Sequence, residues 1–111
     1  MNFEKNIFIH HVFFWLKNPG DKGDRNKLVE GLKKLSAAKT IKSFHIGKPA
    51  NTRREVIDSS YDISWMLIFE NEEDQDSYQT DPIHLKFIDD CSQLWSRVVV
   101  YDTISIDELI E

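Results

Sequence analysis

Tyr78-Gln79-Thr80-Asp81-Pro82-Ile83-His84 decides how the second half of the chain folds. Pro82 has no backbone N–H, which suits it to the first position of a helix and to little else in one. Asp81 before it is an N-cap residue. The stretch therefore predicts a tight break between two helices, with Tyr78 near the end of the first and His84 in the first turn of the second. At that place the positive end of the helix dipole disfavours an imidazolium. A neutral imidazole near a phenol makes an acid–base pair suited to neutral pH. The same two side chains could instead hydrogen-bond locally and simply fasten the helix start.

Outward from the break, Asn71 caps the helix that ends near Tyr78, and Ile83, Phe87, Ile88, Cys91, Leu94 and Trp95 keep helical spacing after it. Upstream, Tyr61 to Phe69 reads as a strand. Tyr61, Ile63, Trp65, Leu67 and Phe69 alternate with Asp62, Ser64, Met66 and Ile68. Ile7 to Leu16 is the first strand. It sends His10, Val12, Phe14 and Leu16 to one face and Ile9, His11, Phe13 and Trp15 to the other. Asp24 to Ala37 is an amphipathic helix with Leu28, Leu32 and Leu35 on one stripe. Ile41 to Lys48 is a second strand, Ala50 to Ser60 a long polar loop, and Val98 to Ile106 a last strand. The acidic tail from Asp107 reads as a weakly ordered end. The order β-α-β-β-α-β, with its second helix split, predicts a ferredoxin-like α+β sandwich. Helices cover one sheet face, and a second copy of the chain is the economical cover for the other.

The 111 residues make one domain over 1–111, with its core at about 7–106. Net charge is −5, which argues against a nucleic-acid groove, since that needs a basic stripe. No apolar run is long enough to span a membrane. No signal-peptide pattern opens the chain, and the single Cys91 fits a reducing compartment, so a cytoplasmic protein is expected. Seven Phe, three Tyr and three Trp, concentrated in the strands, predict an aromatic interior, pocket or interface. His11 is expected on the helix-packed face or at a strand edge, and Trp15 and Trp95 between sheet and helices. Asp102 is expected to make a backbone or dimer contact. No metal site is expected: His10 and His11 are adjacent on a strand and point to opposite faces.

Three blocks carry a family resemblance: His10-His11-Val12-Phe13-Phe14-Trp15-Leu16-Lys17; Asp58-Ser59-Ser60-Tyr61-Asp62; and Tyr78 to Phe87, followed by Trp95 and Val100-Tyr101-Asp102. Together they resemble the stress-responsive dimeric α/β-barrel (Dabb) family from about His10 to about Asp102. The resemblance implies two ferredoxin-like subunits paired through their sheets into a barrel, with a cleft in each between sheet and helices. The family includes plant polyketide cyclases that close an aromatic ring without a cofactor. By that resemblance His84 is the base, Tyr78 the supporting acid and His10 part of the pocket. Those cyclases also use a tyrosine on the first helix, where Asp24 to Ala37 has no aromatic residue.

Three readings stay open at this point. The first is a cofactor-free acid–base enzyme of cyclase or isomerase type, acting on a small carbonyl or aromatic compound. His84 and Tyr78 would be catalytic, and His10, Val12, Phe14, Trp65 and Phe87 would line the substrate site. The second is a non-catalytic stress-responsive protein that binds a small apolar ligand or protects partners. The third is a haem or quinone monooxygenase-like member of the same architecture.

Overall fold

Residues 6–106 are described in a computed structural model of the chain. β1, Phe8–Leu16, alternates strictly between buried and half-buried positions. The buried set is Phe8, His10, Val12, Phe14 and Leu16. α1, Lys22–Leu35, follows, with Leu28, Leu32 and Leu35 buried. It starts two residues before the expected Asp24 because Asp21 is the cap, its carboxylate accepting from the Asp24 N–H at 3.1 Å. β2, Ser43–Gly47, is short and exposed over its first three residues. Residues 48–62 carry neither helix nor strand. β3, Ile63–Phe69, is buried at all positions but Met66. α2, Glu72–Thr80, and α3, Pro82–Cys91, follow. A single 3₁₀ turn, Ser92–Leu94, then delivers the chain into β4, Trp95–Ile104.

The four strands lie in the order β2-β3-β1-β4, and every neighbouring pair is antiparallel. This is the ferredoxin-like α+β sheet that the element order predicts. One core joins the inward residues of β1 and β3 to Leu28, Leu32 and Leu35 of α1, Tyr78 of α2, and Phe87 and Cys91 of α3. β4 begins at Trp95 rather than Val98, pairing with Leu16 beyond an irregularity at Trp15/Leu16. It forms one edge of the sheet and stays exposed at Val98, Val100, Tyr101 and Ile104.

Three expectations are corrected on the uncovered sheet face. His11 lies there, on a central strand, and its ring is 4.2 Å from that of Phe13. Trp15 also points there rather than toward the helices. Its Nε1–H donates to Ser60 Oγ at 3.2 Å, and the Arg97 guanidinium sits 4.5 Å over its ring. Tyr61 does not share a face with Ile63 and Trp65. It precedes β3, and its ring packs 4.9 Å from Phe13 on the uncovered side. Alternation assigns faces only inside a strand, and β3 begins two residues later than Tyr61. The predicted tail from Asp107 lies outside the described residues.

Candidate active site

The break between α2 and α3 builds the site. Asp81 serves both helices. Its N–H donates to the Tyr78 carbonyl at 3.1 Å, closing α2, and its carboxylate accepts from the Ile83 N–H at 2.9 Å, opening α3. Pro82 takes the first position of α3. This sets Tyr78 and His84 six residues apart with ring centroids 4.6 Å from one another.

Tyr78 is 1% exposed. Its ring lies 5.2 Å from Phe69 and 6.0 Å from His10. The Trp65 Nε1–H donates to its hydroxyl oxygen at 3.3 Å. Burial pushes the phenol up to about 12, against the smaller pull of the Trp65 hydrogen bond. The hydroxyl is therefore neutral at physiological pH. Its oxygen already accepts, so its own hydrogen is free to be donated.

His84 is half-buried, and its Nδ1 lies 3.1 Å from the Gln79 carbonyl oxygen. A carbonyl can only accept, so Nδ1 carries the hydrogen and Nε2 holds the lone pair. Burial is the main cause that lowers the His84 pKa below 6.5, with the Gln79 bond opposing and His10 adding to the lowering. The neutral imidazole predicted from the helix dipole is thus neutral chiefly because it is desolvated.

His10 joins from β1. It is 7% exposed, and its Nδ1–H donates to the Asp102 carboxylate at 2.6 Å. The two residues are cross-strand partners in the β1–β4 register. Asp102 thus spends its side chain on orienting His10. Sequence reasoning missed this pair, because finding it needs the register of two strands 92 residues apart. Among the described residues neither His10 Nε2 nor His84 Nε2 has a hydrogen bond, yet no buried side-chain nitrogen or oxygen lacks a partner. Neither Nε2 atom is therefore wholly sealed from solvent.

The other residues expected to line the site divide. Trp65 touches Tyr78, and half-exposed Phe44 stands 5.6 Å from its ring. Phe14 and Phe87 belong to a second cluster around Trp95, with centroids 4.8 and 5.8 Å from it. Val12 lies between His10 and Phe14 on the same buried face of β1. Among the described residues no group of three or more His, Cys, Asp or Glu is placed to hold a metal ion, and no helix is long and apolar enough to cross a membrane.

Residues 8–105 match the family described as the stress responsive A/B barrel domain, Dabb. The chain belongs to the Dabb family. No curated protein matches it. Several solved structures share the fold of this Dabb domain. A Dabb family protein with a ferredoxin-like fold from Mesorhizobium loti superposes with a TM-score of 0.76 at 20% identity, covering 92% of this chain and 99% of the other. A dimeric ferredoxin-like protein of unknown function from Thermobifida fusca gives 0.75 at 16% identity, covering 95% and 96%. A hydroxynitrile lyase from Passiflora edulis gives 0.78 at 17% identity, covering 94% and 97%.

Proposed function

We propose that this Dabb domain binds a small carbonyl or aromatic compound beside Tyr78 and acts on it without a cofactor, by acid–base catalysis. His84 removes a proton next to the carbonyl through Nε2. Tyr78 donates its hydroxyl hydrogen to the oxygen on which negative charge develops. His10, held by Asp102, supplies the polar wall, and Trp65, with Val12 next along β1, the apolar one. The observation that carries this reading is the Gln79 carbonyl on His84 Nδ1, which leaves an unprotonated nitrogen next to a neutral phenol. The likeness to a hydroxynitrile lyase supports acid–base chemistry on a small molecule within this fold.

The test is proton exchange. In deuterium oxide the wild-type protein should speed α-proton exchange of acetophenone above the buffer rate. His84→Gln, folded and in the same oligomeric state, should not. Equal exchange by both proteins would remove His84 as the base.

A second reading is favoured by the near-complete burial of Tyr78, Trp65 and Phe14. In it the Tyr78/His84 pair locks the α2–α3 junction, and the domain binds a small apolar ligand without turnover. Under this reading His84→Gln keeps its ligand affinity and loses stability.

The proposal includes a homodimer closed through the uncovered sheet face. Dimeric relatives support it, as do the half-exposed Phe13 and Trp15 and the exposed Tyr101 on that face. The free, buried thiol of Cys91 suits a reducing, cytoplasmic setting.

A further inference from the structure

A groove of about 410 Å³ runs along the seam between α1 and α3, lined by neither His84 nor Tyr78. Its volume falls within the roughly 300–1,000 Å³ of small-molecule sites. Both helices offer it a stripe with four-residue spacing: Lys27, Gly31 and Leu35 from α1, and Ile83, Phe87 and Cys91 from α3. Gly31 marks the closest approach of the helices, since a Cβ there would lie 2.6 Å from Cys91 Sγ. The floor is therefore apolar and tightly packed.

The rim is charged, and its charges do not cancel. Glu30 is paired with Lys33 at 3.2 Å, and Asp90 with Lys86 at 3.1 Å. Among the described residues no ion pair engages Lys27 or Lys34. They stand two helical turns apart on one face of α1. Both lysines line the groove, and their charges oppose the rise that burial and Asp90 impose on the Cys91 thiol at its floor. In a chain of net charge −5, α1 carries five basic residues (Lys22, Arg25, Lys27, Lys33, Lys34) against two acidic ones (Asp24, Glu30).

We infer that this groove is a second binding site, for an amphipathic organic anion: a carboxylate on a medium-length apolar chain. Its head sits between Lys27 and Lys34, and its chain lies on Phe87, Cys91 and the half-exposed Ile83. The site is separate from the Tyr78/His84 pair and does not depend on turnover there.

Titration with sodium octanoate, followed by backbone amide shifts, tests it. Wild-type protein should bind octanoate saturably, with shifts centred on Gly31, Phe87 and Cys91, and should bind neutral 1-octanol more weakly. Lys27→Gln/Lys34→Gln keeps good helix formers at exposed positions, so the fold should persist. Loss of two exposed charge contacts should lower octanoate affinity by roughly thirtyfold or less, with octanol unchanged. Absence of saturable binding would overturn the proposal. So would equal octanoate affinity in the double variant, or shifts centred on Tyr78 and His84. His84→Gln should leave octanoate binding as in wild type, so failure of the acid–base reading and failure of this one are told apart.

Discussion

Tyr78 is asked to do two things at once, and its hydroxyl shows how. The oxygen satisfies the buried Trp65 N–H, and under the proposed chemistry the hydrogen is what a ligand oxygen would accept. Tyr78→Phe keeps the ring and removes both roles. Trp65 Nε1–H is then left without an acceptor in the core, which should lower unfolding free energy by about 1–3 kcal/mol in urea titrations. His84 makes the pH dependence explicit. Its folded pKa lies below 6.5, and so does that of His11, chiefly through burial in both cases. Below pH 6.5 the unfolded chain binds more protons than the native one. Their contribution to stability is thus fully present above the unfolded value and is lost as pH falls from there through the folded values. Thermal midpoints should be higher at pH 7.5 than at pH 5, and His84→Gln should flatten that difference. By the same sign, exchange activity that depends on neutral His84 should rise with pH, with its midpoint below 6.5.

At the scale of elements, Asp81 is the economical part. One residue ends α2 and starts α3, so it fixes the angle at which His84 meets Tyr78. Asp81→Ala removes the side-chain cap and should cost about 1 kcal/mol, whereas Asp81→Asn should cost much less. Circular dichroism melts would separate the two. This junction was legible in the sequence because its signals are local: a proline, a capping carboxylate and helical spacing on either side. The alternation of β1 was legible for the same reason. The β1–β4 register was not local, and with it went the His10–Asp102 contact. Tyr61 and Trp15 were misplaced for related reasons: one stands outside the strand that seemed to hold it, and the other depends on which face the helices choose. The site is thus half written in short-range chemistry and half in the pairing of distant strands.

The whole molecule is lopsided. One sheet face is sealed by three helices, and the other presents Phe13, Trp15, Tyr61 and Tyr101 as a connected set of rings. If two copies close over that face, a charge at its most exposed aromatic should part them. Tyr101, 61% exposed, is that residue. Tyr101→Asp should shift the protein from dimer to monomer in light-scattering chromatography while far-UV spectra stay unchanged. The two rims of the sheet differ as well. β2 has five residues and lies between Lys42 and Lys48, a short, charged border that discourages strand addition. β4 has ten residues and is apolar and exposed over much of its length. Endless stacking needs two adhesive borders on every copy, and this sheet has one. The asymmetry of the sheet is in that sense a guard: with β2 closed to strand addition, copies cannot chain edge to edge without end, whatever covers the aromatic face.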